Sequence, residues 1–67
     1  MNADHLVLMA NQIARNLAYQ PPAQASAAFA AHVHAFWAPT MLADLRSYVE
    51  EGGDGLDPVV VAGLNLP

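Results

Sequence analysis

The first apolar pattern along the chain repeats at helical spacing. Over residues 3–18, large apolar side chains and alanines recur three or four positions apart, on one face: Leu6, Met9, Ala10, Ile13, Ala14 and Leu17. This spacing is typical of an amphipathic α-helix. Asn2 or Asp4 can cap its start through a side-chain oxygen. Pro21 and Pro22 end it, because a residue before proline is displaced from helical geometry.

An alanine-rich stretch follows the two prolines and predicts a second helix over about residues 23–37. Pro22 suits the first helical position, where its missing N–H costs nothing, and alanine has the highest helix propensity. His32 is expected on the flank of this helix. The predicted inward stripe, again at spacings of three and four, comprises Ala25, Phe29, Val33 and Phe36.

Pro39 interrupts the second helix and begins a third, predicted over about residues 39–51. Gly52 and Gly53 end the third helix, since glycine readily adopts the left-handed conformation that closes helices. One side of this helix is apolar and carries Met41, Leu42, Leu45, Tyr48 and Val49.

A short fourth helix is predicted over residues 58–64. Asp57 followed by Pro58 is the pairing expected of an N-cap and a first helical residue. The three valines 59–61 also favour a strand, and Gly63 weakens a helix. A lone strand would have no partner in a helical chain, so helix is the interpretation retained. The predicted fold class is all-α: one domain over residues 1–67, a bundle of three helices with a short C-terminal fourth.

Length and composition favour a chain that packs against something larger. A 67-residue domain buries only about 60% of its unfolded surface, and the absence of cysteine removes disulfides and thiolate metal sites. Apolar residues make up 55% of the chain and charged residues 12%, against roughly 25% charged in an average domain. Much of the apolar share is alanine, which buries little area. Docking or oligomerisation remains the route to stability.

The charge balance argues against nucleic acid as a ligand. The net charge is −4, and Arg15 and Arg46 are the only permanently cationic side chains, whereas phosphate binding needs clustered lysine and arginine. No apolar run approaches the roughly 20 residues that span a bilayer, and the N-terminus lacks the basic start of a signal peptide. We therefore expect a cytoplasmic protein that is not bound to a membrane.

No group of residues predicts a metal site or catalysis. His32 and His34 are two apart, so a helix points them to nearly opposite faces. Ser26 and Ser47 have no histidine arranged as an activating base, and no glycine-rich phosphate cradle is present. The acidic residues near the glycine turn lack the ligand spacing of a calcium hand, and the predicted roles are capping for the last and solvation for the others: Glu50, Glu51, Asp54 and Asp57.

Several residues are instead predicted to contact a partner. Phe36 and Trp37 are adjacent, so on a helix they differ by about 100° and cannot bury against the same neighbour. We expect one in the core and one at a boundary, with both in the core as the alternative. Asn11 and Gln12 are solvated by default, or docked on a partner's backbone. The full set of candidate partner contacts is Met9, Asn11, Gln12, Phe36, Trp37, Pro39 and Met41.

Three segments together resemble a known family. MANQIA at 9–14, AFWAPTM at 35–41 and GGDGLDPVV at 52–60 are similar, in order and spacing, to the delta subunits of soluble, molybdenum- or tungsten-containing, NAD-dependent formate dehydrogenases. Family members usually have basic residues just after the FWxP element, where this chain has Thr40 and Leu42. Their C-terminal helix usually continues further, where this chain stops at Pro67.

The resemblance implies a non-catalytic subunit of a cytoplasmic complex. The alpha subunit of such a complex holds a molybdenum or tungsten bis-guanine-dinucleotide cofactor and iron–sulfur clusters, and the beta and gamma subunits carry FMN, further clusters and the NAD site. The delta subunit is expected to support assembly, stability or cofactor insertion and to bind no cofactor itself. Trp37, Met41 and Met9 are the predicted anchors on the alpha subunit. The alternatives are a self-assembling homodimer and a helix-turn-helix regulator.

Overall fold

The computed structural model describes residues 2–66, which form four helices and no strand. Residues 1 and 67, which the predicted domain includes, lie outside this described part. The helices are α1 (Ala3–Asn16), α2 (Pro22–Phe36), α3 (Pro39–Glu50) and α4 (Pro58–Leu64). The prediction of an all-α bundle of three helices with a short fourth is confirmed, and the strand interpretation of the valines 59–61 is wrong.

Two helices end earlier than predicted, because the backbone turns before the periodic pattern stops. α1 ends at Asn16, and Leu17 has φ −100° and ψ 2°, with its N–H donating to the Ala14 carbonyl at 3.1 Å. α2 ends at Phe36, and Trp37 has an extended backbone with φ −94° and ψ 143°. The extended backbone of Trp37 redirects its indole ring relative to the helix.

The helix starts follow the capping rules that the sequence suggested. Asn2 is the N-cap of α1, and its side-chain oxygen accepts a hydrogen bond from the His5 N–H at 2.9 Å. Asp57 caps α4 in the same way, accepting from the Val59 N–H at 2.9 Å. α2, α3 and α4 all begin with proline, whose fixed φ suits the first turn. Each start therefore lies at a residue that locally favours it.

The end of α3 is a Schellman motif. The Gly52 N–H donates to the Val49 carbonyl at 3.1 Å, and the Gly53 N–H donates to the Tyr48 carbonyl at 3.0 Å. Both glycines have positive φ, 127° and 62°, a region that other residues rarely adopt. The glycine pair therefore closes α3 and starts the loop to α4.

The core lies where one face of each helix meets the others. α1 packs against α3, α2 and α4, and the closest pairing of helices is between α2 and α4. Partly buried apolar side chains such as Met9, Ile13 and Met41 pack around this centre. Its buried members are Leu6, Ala10, Ala14, Phe29, Val33, Trp37, Leu42, Leu45, Val60 and Leu64.

Gly63 explains why α4 lies so close to α2. A Cβ atom at this position would lie 2.9 Å from the Ser26 carbonyl oxygen and 3.4 Å from the Phe29 ring. The glycine that weakens α4 as an isolated helix therefore permits its contact with α2.

Candidate partner-binding surface

Asn11 joins the first helix to the loop before the last one. Its Nδ2 donates to the Gly55 carbonyl at 2.9 Å, and its Oδ1 accepts from the Asp57 N–H at 2.9 Å. The amide thus matches one acceptor and one donor of the loop backbone. The default expectation of a solvated Asn11 is wrong: this side chain does bind backbone, and the backbone belongs to its own chain.

The loop over residues 51–57 is held at further points. The Tyr48 hydroxyl donates to the Asp54 carbonyl, and the Leu56 N–H donates to the Gly53 carbonyl at 3.2 Å. Together with Asn11, these bonds fix the loop between α3 and α4. The backbone that carries the acidic side chains of this segment is therefore fixed in position.

Phe36 and Trp37 divide as expected, one inside and one outside, but the inward stripe predicted for α2 is wrong at Phe36. Trp37 is 8% exposed and belongs to the core, whereas Phe36 is 75% exposed. The extended backbone of Trp37 takes its ring off the helical register and into the bundle. Phe36 stacks on His32 one turn earlier, with ring centroids 4.9 Å apart.

The other candidate contacts lie on or near the surface. Gln12 and Pro39 are exposed, and Met9 and Met41 are half-buried, with part of each side chain packed against the core. Four candidates therefore keep surface for a partner beside Phe36. Asn11 and Trp37 are largely used within the chain.

Within residues 2–66, four large apolar side chains are exposed. Leu8 on α1 is 56% exposed, and Tyr19 in the α1–α2 connection is 80% exposed. Phe36 ends α2, and Leu66 follows α4 with 39% of its surface exposed. Scattered exposed apolar residues are ordinary, so a site needs a concave setting as well.

Leu66 has such a setting, because a groove of about 520 Å³ runs between α2 and α4. Sequence reasoning missed this groove. The signal for one wall was the spacing of Val59, Ala62 and Leu66 at intervals of three and four, outside the buried face of α4. The lining side chains are Pro22, Ala23, Ser26, Asp57, Pro58, Val59, Ala62 and Leu66.

Metal-ligating residues are dispersed in the part of the chain that the structure describes. Within residues 2–66, no three histidine or carboxylate side chains come close enough together to hold a metal ion. His32 and His34 are both exposed, and the His32 ring contacts the Phe36 ring in a tilted arrangement. Asp57 serves as the N-cap of α4, the role that the sequence predicts for it.

None of the helices described between residues 2 and 66 is long and apolar enough to cross a lipid bilayer.

Comparison with known proteins identifies the family. Searches of curated proteins and of solved structures found no match. The sequence model of the family described as NADH-dependent formate dehydrogenase delta subunit FdsD matches residues 5–64. This match includes all three segments on which the resemblance rests and extends over most of the four-helix bundle. The chain therefore belongs to the formate dehydrogenase delta subunit family.

Proposed function

We propose that this chain is a non-catalytic accessory subunit that binds the large catalytic alpha subunit of a cytoplasmic NAD-dependent formate dehydrogenase. In this role it supports the assembly or stability of the complex, or the insertion of its cofactor. The observation that carries the proposal is the family match over residues 5–64, since it covers nearly the whole bundle rather than one motif.

The location of the family-like segments adds support. Asn11 of the ANQI segment is bonded to the GGDGLDP segment, and Trp37 of the FWxP segment is in the core. Much of the resemblance thus concerns residues that build the bundle. The side chains left for a partner are the exposed Phe36 beside Trp37, with Gln12, Pro39 and the open sides of Met9 and Met41: a set of aromatic, methionine and polar groups typical of protein interfaces.

The redox groups of the proposed complex belong to its other subunits. The alpha subunit would carry the molybdenum or tungsten bis-guanine-dinucleotide cofactor and iron–sulfur clusters, and the beta and gamma subunits FMN, further clusters and the NAD site. The delta chain contributes contacts to this assembly. Its effect on formate oxidation is therefore expected to be indirect, through the amount of complete enzyme.

The test is affinity purification of the tagged full-length chain from cells that produce it. We expect co-purification of a large molybdenum- or tungsten-containing subunit, with formate-dependent NAD reduction in the eluate. Recovery of the chain alone, at twice its mass, would overturn the proposal in favour of the self-assembling homodimer.

A deletion strain separates a role in assembly from a role in the finished enzyme. If the chain acts in assembly or cofactor insertion, the complex purified without it will contain less molybdenum or tungsten per alpha subunit, and adding the chain afterwards will not restore activity. If it stabilises the finished enzyme, metal content will be normal and the added chain will slow thermal inactivation. Normal metal content, activity and thermal stability without the chain would contradict both roles.

A further inference from the structure

We infer that the groove between α2 and α4 is a docking site for an apolar helix of a partner subunit, with a lysine or arginine at the end that meets the α3–α4 loop. This inference rests on the proposed function and deepens it, because it assigns one surface and one kind of partner segment.

The groove has the size and chemistry of a helix-binding site. Its volume is about 520 Å³, and α4, with seven residues, makes it about 10 Å long at 1.5 Å per residue. This length suits about two turns of a partner helix, which would insert apolar side chains at spacings of three and four. The walls are alanine, proline, valine and leucine, with Ser26 and Asp57 as the polar members.

Gly63 sets the distance between the two helices that line the groove. The close contact of Gly63 with the Ser26 carbonyl and the Phe29 ring fixes the spacing of α2 and α4. Leu66 projects from the chain after α4 and remains 39% exposed. A preformed apolar groove with an exposed leucine at its edge is suited to a partner side chain, because little ordering is needed on binding.

One end of the groove is acidic. Asp57 lines it directly, and Asp54 is three positions earlier, so their Cα atoms are at most about 11 Å apart. This separation is comparable to the Debye length of about 8 Å at physiological salt. Glu50 and Glu51 precede the same loop, whereas the two cationic residues, Arg15 and Arg46, belong to α1 and α3. Asp57 therefore places a carboxylate at the groove, on a loop that also carries Asp54, and this favours a cationic residue in the bound segment.

The same charges argue against a second copy of this chain as the occupant. Each copy carries a net charge of −4 and has only two arginines to six carboxylates. Placing two such acidic ends together would bring like charges into contact, which is unfavourable. A partner with a basic residue beside an apolar stripe has the complementary pattern.

The decisive variant fills the groove. Ala62→Trp places a large side chain between its walls, and the matched control Ala31→Trp adds the same side chain at an exposed position of α2 outside the lining. The probe is the formate dehydrogenase complex purified from cells lacking this chain. We expect Ala62→Trp to weaken binding at least tenfold and Ala31→Trp to bind as the native chain does. Ala23→Trp, on the opposite wall, repeats the test if α4 tolerates tryptophan poorly, and thermal unfolding checks that each variant is folded.

A second pair of variants tests the charge. Asp54→Asn with Asp57→Asn removes two charges beside the groove but keeps the cap of α4, because asparagine caps about as well as aspartate. The control, Asp4→Asn with Asp44→Asn, removes two charges elsewhere. We expect the first pair to weaken binding about threefold to tenfold at low salt, with the difference lost at high salt, and the control to have little effect.

The partner segment can be identified by a benzophenone photocrosslinker placed at Ala62. Capture of an apolar peptide with a lysine or arginine at one end supports the inference. Capture of a second copy of the chain, or equal binding by the groove variants and their controls, overturns it and leaves the proposed function intact. Failure of the native chain to bind the complex at all overturns the proposed function and, with it, this inference.

Discussion

The middle and the C-terminal end of α2 carry phenylalanines on the same face, and only the one in the middle is covered. Phe29 is fully buried beneath α4, in contact with the Gly63 position. Phe36, seven residues or about two turns later, is 75% exposed. The residue type and the helical direction are nearly the same, so neither accounts for the difference.

The difference follows from the lengths of the helices. α2 has 15 residues and α4 has seven, which correspond to about 22 Å and about 10 Å at 1.5 Å per residue. α4 meets α2 at Ser26 and Phe29, and with only seven residues it leaves Phe36, at the C-terminal end of α2, uncovered. Helical periodicity gives the direction of a side chain, whereas burial also depends on what another helix can reach.

The largest expected effect comes from removing the covered phenylalanine. Phe29→Ala should lower the free energy of unfolding by about 3–5 kcal/mol, because it leaves a cavity in the core. A domain of this size has a total stability of about 3–10 kcal/mol, so much of the variant should be unfolded. Urea titration followed by circular dichroism measures this, and a loss below about 1 kcal/mol would contradict the described core.

Trp37→Ala should follow, with a loss of about 3 kcal/mol, since Trp37 belongs to the same buried cluster. The sequence suggested Trp37 as an anchor on the partner, in which case complex assembly would suffer more than the isolated fold. The two readouts are therefore measured together. Equal losses in unfolding free energy and in binding would assign Trp37 to the core alone, and a larger loss in binding would support the anchor.

Asn11→Ala should cost about 1–3 kcal/mol, because the Gly55 carbonyl and the Asp57 N–H both lose their partner. Asn11→Asp is the matched variant: it retains an acceptor for the Asp57 N–H and loses the donor to Gly55. Its cost in chemical denaturation should be no smaller than that of Asn11→Ala, because a carboxylate oxygen then faces the Gly55 carbonyl oxygen in place of the donor. An unchanged stability of Asn11→Ala would mean that the loop is held by its other bonds.

Gly63→Ala tests the contact between α4 and the covered part of α2. Helix propensity alone would make this change stabilising by about 1 kcal/mol. The added Cβ would lie 2.9 Å from the Ser26 carbonyl oxygen, which is backbone and cannot move cheaply, so we expect a net loss of about 1 kcal/mol. The sign of the change in thermal unfolding temperature decides between the two effects.

Phe36→Ala should have the smallest effect on the fold, within about 0.5 kcal/mol, as is usual for an exposed side chain. Its proposed role predicts a loss elsewhere: binding to the formate dehydrogenase complex should weaken about tenfold. Leu8→Ala is the control, another exposed apolar residue, on the outer face of α1. Equal binding by both variants and the native chain would remove Phe36 from the interface.

Most of the fold could be predicted from the sequence, because the residues that start and end the helices act locally. Prolines at the helix starts, the Asp57 cap and the glycines after α3 act within a few residues of their own position. The errors came from features that are not local. The helical register of Phe36 matches that of Phe29 and wrongly predicts burial. The sequence gives no sign of the hydrogen bonds of Asn11, because their partners are 44 and 46 positions away.

The candidate surface was less predictable than the fold. A groove is made by two helices, and the distance between α2 and α4 depends on one glycine meeting one carbonyl. The spacing of Val59, Ala62 and Leu66 hints at one wall, but the sequence does not indicate the other. The resemblance identified the family of the chain but did not indicate which surface contacts a partner.

The two hydrogen bonds of Asn11 also bear on how the chain folds during its synthesis. Their partners, Gly55 and Asp57, lie 44 and 46 positions after Asn11 along the chain. α1 therefore forms these two hydrogen bonds only after the loop between α3 and α4 has left the ribosome, whereas its contacts with α2 and α3 can form earlier. A chain cut short after α3 would keep the sequences of α1, α2 and α3 but would lack both backbone partners of Asn11.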